Sequence, residues 1–177
     1  MASAVDSLAS PAPMLTYIAR QAIYDRNRKV WGYELLHRAY GPAGSGARNV
    51  VITAGLDVGL AKVSGNHRVL VSFDAEALLA NIPSTLPSAQ LIIDVVPGLA
   101  REPLLVAALM RLAQLGYLIA VDGRTDTPED PNLMRVASIV RLDAQALLRG
   151  DAVPLAERLR AQKKHLFATE VDTSEAL

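Results

Sequence analysis

The chain has 177 residues, the length of one ordinary domain and too short for two comfortable ones. Apolar residues make up 51% and charged residues 20%, a globular composition that excludes a disordered chain. Eighteen Lys and Arg balance eighteen Asp and Glu, which argues against general DNA or anionic-membrane binding, and the absence of cysteine excludes disulfides, thiolate zinc sites and cysteine nucleophiles.

Residues 1–13 (MASAVDSLASPAP) have neither a cationic start nor an apolar stretch. They read as a flexible tail rather than a signal peptide, ahead of one domain over 14–177. No apolar run reaches membrane-span length, so the expected setting is cytoplasmic. LTYIARQAIY and VWGYELLHR flank the polar segment Asp25–Lys29 and predict a β-hairpin. GPAGSGA reads as a loop; it lacks the spacing and the Lys-Ser/Thr ending of a phosphate loop. Val51, Ala54, Gly55 and Val58 recur at helical spacing, predicting a helix over about 48–63.

VLVSF follows as a buried strand, then a short helix over 74–81 with Asp74 as its N-cap. QLIIDVV, YLIAVD, SIVRLD and HLFATEV are further strands. The helices between them run over 101–115, with Leu105, Ala108, Leu109 and Leu112 as its apolar stripe and Gly116 at its end, then within DTPEDPNLMRVA, AQALLRG and VPLAERLRAQ. Apolar strands separated by amphipathic helices predict an α/β fold with a parallel sheet covered on its outer face. Periodicity leaves barrel and doubly wound sheet equally open.

Polar residues gather at the strand ends: Glu34, Ser72, Asp74, Asp94, Asp122, Asp143 and the segment from Thr169 to Asp172. In an α/β barrel those ends converge on one mouth, where carboxylates from several strands could surround a hard cation. Taken singly, each Asp is more often the cap of the helix that follows it; taken as a set, they point to a former or present site. His37, His67 and His165 have no metal-ligand spacing, and ERLRAQKK reads as a solvated basic helix face. No Ser-His-Asp order or nucleophile elbow is present.

YIARQAIYDRNRKVWGYELLHR, with ELLHR in Glu-x-Leu-x-Arg form, and the later ATEVDT together resemble EAL domains, the phosphodiesterases of the bacterial second messenger cyclic di-GMP. The chain is most similar to the short kind found in EAL-HDOD proteins, and the resemblance runs from about Thr16 to the end. It implies a TIM-like barrel with an N-terminal hairpin, incomplete because the chain stops where the helix before the last strand would begin. The family's chemistry is attack of metal-activated water on a phosphodiester. By resemblance Glu34 falls on a metal-ligand glutamate, Arg38 on a phosphate-contacting arginine, Gln21 on a substrate-contacting glutamine, and Asp122 on the first Asp of a ligand pair.

The departures are Ser72 for an Asn ligand, Asp94 for a Glu, Pro97 for a second Glu, Gly123 for the second Asp, Arg141 for the catalytic Lys, and Thr169 for another Glu. Arginine does not replace lysine here, because its fork is permanently charged and differently shaped. Too few oxygen ligands remain for an octahedral Mg²⁺. The expectation is therefore a non-catalytic signalling module with no cofactor, acting through a protein partner or as a homo-oligomer, the exposed last strand being shielded by the tail or paired across that interface. Two alternatives are a receptor that binds cyclic di-GMP without cleaving it, and a residual phosphodiesterase using Glu34, Asp94 and Asp122 with Mg²⁺ or Mn²⁺.

Overall fold

The computed structural model describes residues 16–39, 59–95, 102–123 and 131–171. The expected tail, the glycine loop, most of the helix over 48–63, Pro97 and Asp172 lie outside the described residues. The hairpin forms as expected, with β1 (Thr16–Tyr24) antiparallel to β2 (Val30–Ala39). Asp25 closes its turn: Oδ1 accepts from the backbone N–H of Asn27 at 2.8 Å and of Lys29 at 2.9 Å. These bonds to the ionised form, that to Lys29 foremost, hold the Asp25 carboxyl below its ordinary pKa.

β3 (Arg68–Phe73), β4 (Leu91–Val95), β5 (Leu118–Asp122), β6 (Ile139–Asp143) and β7 (His165–Thr169) follow, each parallel to its predecessor from β2 onward. The sheet order is β1-β2-β3-β4-β5-β6-β7. A doubly wound sheet would reverse its order at a switch point. The described strands never reverse, which decides for barrel-type winding with β1 and β7 as the edges of the sheet.

The helices are α1 (Leu60–Ser64), α2 (Ala75–Leu79), α3 (Pro103–Gln114), α4 (Pro131–Val136), α5 (Ala144–Arg149) and α6 (Val153–Ala161). A 3₁₀ turn over Ile82–Thr85, absent from the sequence expectation, links α2 towards β4. Leu105, Leu109 and Leu112 of α3 are fully buried, as the predicted stripe requires. They join Val71, Phe73, Ile93, Val121 and Leu142 in the outer core between sheet and helices. Removing such side chains from water is the main stabilising term of the fold.

Side chains alternate across a strand, so the residues between those outer positions line the inner face. Leu70, Ile92, Ala120 and Ile139 form a second core there, with Ile23, Trp31, Leu118 and Phe167 packed against it. Every strand contributes one or more of these residues. Trp31 reaches this face through a β-bulge: Ile23 pairs with Gly32, Tyr24 pairs with Val30, and Trp31 is the extra residue between. Gly32 is needed beside it, because an added Cβ would lie 2.8 Å from the Arg68 carbonyl oxygen.

Trp31 on β2 meets Phe167 on β7 edge-to-face, with ring centroids 5.0 Å apart at 78°. Five strand spacings of about 4.8 Å would separate these strands by about 24 Å in a flat sheet. The aromatic contact therefore requires the sheet to curl into a half-barrel. Trp31→Ala and Phe167→Ala are each expected to cost about 2–3 kcal/mol, below the range for wholly buried rings because both keep some exposure. In a urea-denaturation double-mutant cycle the pair should couple by about 1 kcal/mol. Strict additivity would mean that β2 and β7 do not meet.

Candidate functional site

The register places the predicted residues on the same inner face, above the apolar layer. Gln21 pairs with Glu34, and Glu34 with Leu70. Ser72 pairs with Asp94, Asp94 with Ala120, and Asp122 with Arg141. Thr169 sits at the end of β7 opposite Asp143. Of Arg38 the register alone is described, opposite Tyr17 in the hairpin.

The structure divides the strand-end carboxylates into two kinds. Asp74 and Asp143 are helix caps: Asp74 Oδ1 accepts from Ala77 N at 2.9 Å, and Asp143 Oδ1 from Gln145 N at 2.7 Å. Glu34 and Asp94 instead turn to a common partner. Arg141 Nη1 lies 3.5 Å from Glu34 Oε1, and Nη2 lies 3.4 Å from Asp94 Oδ1. Ser72 Oγ donates to Asp94 Oδ2 at 2.7 Å. On β5, the strand between β4 and β6, the small Ala120 stands beside Asp94 and Asp122 beside Arg141.

Gln21 is exposed on β1. The Thr169 hydroxyl donates to the Leu142 carbonyl at 3.3 Å, which uses it in fastening β7 to β6. Gly123 is packed against β6, where an added Cβ would lie 2.5 Å from Val140 Cγ1 and 2.8 Å from Leu142 Cδ2. An aspartate at that position has no room.

The side chains of Asp94, Arg141 and Glu34 are 4%, 17% and 27% exposed. Burial, the largest influence, raises the pKa of Asp94; the Arg141 charge and the Ser72 hydrogen bond oppose it, and Asp122 adds to it. Glu34 is likewise pushed up by burial, with Arg141 opposing and Asp94 adding. Asp94 Oδ1 and Arg141 Nε are buried without a hydrogen-bond partner. The guanidinium thus supplies charge at a distance longer than the ~2.7–2.9 Å of a charge-assisted hydrogen bond.

Among the described residues, no three Asp, Glu or His side chains stand together in a way that could hold a metal ion. With a guanidinium between the two nearest carboxylates, the residues present do not fit a divalent cation. Sequence reasoning named Glu34, Asp94 and Arg141 separately and missed their pairing. The signal was the strand alternation, which puts Arg141 on one face with Glu34, Asp94 and Asp122.

No family model matches the chain. It is 26% identical over 170 residues to cyclic di-GMP phosphodiesterase CdgJ of Vibrio cholerae, covering 90% of this chain and 39% of that protein. It is 27% identical over 129 residues to the uncharacterized protein YuxH of Bacillus subtilis, covering 68% of this chain and 32% of that protein. The chain therefore spans less than half the length of the curated relatives it matches. Among solved structures, the EAL domain of Mycobacterium smegmatis DcpA has a TM-score of 0.72 at 17% identity, covering 92% of this chain and 84% of that one. Bacillus subtilis YkuI, a protein with an EAL domain solved with its substrate cyclic di-GMP and calcium, has a TM-score of 0.68 at 16% identity, covering 91% and 50%. The chain has the EAL-domain fold, as its resemblance implied.

Ionisation of Glu34 and Asp94 should leave a mark on stability. Their folded pKa values are raised, so their contribution is present in full below the ordinary carboxylate range of about 4 and is lost as pH rises through the raised values. Between about pH 4 and pH 7 the wild type is expected to lose urea resistance from this source, and Asp94→Asn to lose less. Equal pH dependence of the two midpoints would contradict the burial effect.

Proposed function

We propose that this EAL-fold chain is a non-catalytic module of bacterial cyclic di-GMP-related signalling that acts by binding a protein partner. One observation carries the reading: the Arg141 guanidinium lies between Glu34 and Asp94, where metal-assisted hydrolysis would need a cation that activates water. A guanidinium has no coordination site at which a water could be held and activated as a nucleophile. The relation to CdgJ, a cyclic di-GMP phosphodiesterase, supports the signalling context.

With Mg²⁺ or Mn²⁺ present, the chain should turn over cyclic di-GMP no faster than its Glu34→Ala variant. Turnover that Glu34→Ala abolishes would sink the reading and restore a residual phosphodiesterase. A receptor without hydrolysis is the second reading, favoured by Gln21, exposed on β1 opposite Glu34. Against it, Glu34, Asp94 and Asp122 outnumber Arg141 and repel a phosphodiester. Calorimetric titration with and without divalent ions separates the two: heat that disappears in Gln21→Ala favours the receptor.

The partner surface in this reading is the edge of β7, which among the described strands pairs with β6 alone. Unpaired backbone on an edge strand invites pairing with another chain. Among the described residues no helix is long and apolar enough to cross a membrane. Light scattering after size exclusion should show a dimer or larger assembly if the partner is a second copy. Ala168→Lys, a charge at an exposed β7 position, should then shift it towards monomer.

A further inference from the structure

We propose that the Arg141 guanidinium is a built-in cation that keeps divalent ions out, and that removing it turns Glu34 and Asp94 into a cation-binding pair. The contacts give the first argument: one guanidinium reaches a carboxylate oxygen on β2 at 3.5 Å and one on β4 at 3.4 Å. A divalent ion between those oxygens would occupy the same space as the guanidinium and be repelled by it.

Asp94 gives the second argument. Its side chain is 4% exposed and Oδ2 is engaged by Ser72, while Oδ1 is buried with no hydrogen bond of its own. That oxygen meets the guanidinium at 3.4 Å without a hydrogen bond, so removing Arg141 frees it to ligate an ion. Local charge gives the third. Glu34, Asp94 and Asp122 carry three negative charges when ionised against one positive charge on Arg141. Carboxylate oxygens of this kind suit hard ions such as Mg²⁺, Mn²⁺ or Ca²⁺.

Arginine brings its charge with the fold, so the mouth needs no ion to be assembled. This inference concerns what excludes the ion and does not depend on what the module binds. The test uses the full chain, its Arg141→Met and Arg141→Gln variants, and Mn²⁺ as probe. Thermal unfolding is followed in EDTA and in millimolar Mn²⁺, with calorimetric titration of the same ion.

The wild type should unfold at the same temperature in both solutions. Both variants should unfold several degrees lower in EDTA, recover in Mn²⁺, and bind Mn²⁺ at least tenfold more tightly than the wild type. Adding Asp94→Asn to either variant should abolish the recovery. Arg141→Gln keeps a hydrogen-bonding amide and carries the test if Arg141→Met does not fold. A wild type stabilised by Mn²⁺ as much as the variants would overturn the proposal, because the ion would then enter beside Arg141. So would a folded Arg141→Gln with no gain in Mn²⁺ affinity, because missing ligands alone would then exclude the ion. Metal-dependent hydrolysis by the wild type would end both readings, whereas an unresponsive Arg141→Gln ends this one alone.

Discussion

The curl of the sheet is the constraint on which the site depends. Glu34 on β2 and Arg141 on β6 stand four strand spacings apart, about 19 Å in a flat sheet at about 4.8 Å per strand. Their charged groups are 3.5 Å apart. Arg and Glu side chains together do not span such a gap, so the ion pair exists only because the inner face folds towards itself. The same curl lets Trp31 touch Phe167 and shelters Leu70, Ile92, Ala120 and Ile139 from water. Helices bury the outer face, and curvature buries the lower inner face. The upper inner face receives the polar residues, because the strand ends open there.

The electrostatics of that face follow from its burial. Bringing Asp94 and Glu34 into a low-dielectric wall disfavours their ionised forms, and one guanidinium offsets this incompletely. Removing one partner of such a pair is far costlier than the pair itself is stabilising, since it strands a buried charge. A lysine at 141 would bring a compact ammonium with no second arm. The fork of arginine lets one residue of β6 answer two carboxylates on different strands. That geometry ties β6 to β2 and β4 through a single side chain.

The strands and helices were legible because each strand is a short apolar run and each helix carries an apolar stripe. The parallel sheet, the hairpin and the Asp74 cap all follow from such local patterns, and the structure has them. Barrel or doubly wound order was not legible, since strand order is a long-range property that periodicity does not encode. Trp31 was hidden for a related reason. A one-residue bulge changes which face a side chain takes, and Gly32 inside VWGYELL marks the place without saying which side chain is re-aimed. Nor could one sequence separate the capping carboxylates from the others. Asp74 and Asp143 stand immediately before a helix, whereas Asp94 is an interior residue of its strand, and that distinction waits on exact element boundaries.

Four positions where the chain departs from the EAL pattern are each fastened into their surroundings. Ser72 holds Asp94 Oδ2, Thr169 holds the Leu142 carbonyl, and Arg141 spans Glu34 and Asp94. Gly123 lets β5 continue against β6, donating its N–H to the Arg141 carbonyl at 2.8 Å where any Cβ would strike Val140 and Leu142. Changing one of them would disturb these contacts. An Asp at 123 would overpack the outer core, at a typical cost of about 1–3 kcal/mol or more. A neutral residue at 141 would leave two buried carboxylates facing each other. Residues in contact couple energetically, so such changes are tolerated together more readily than singly. Ser72, Asp94, Arg141 and Glu34 form one connected unit at the mouth, with arginine at its centre.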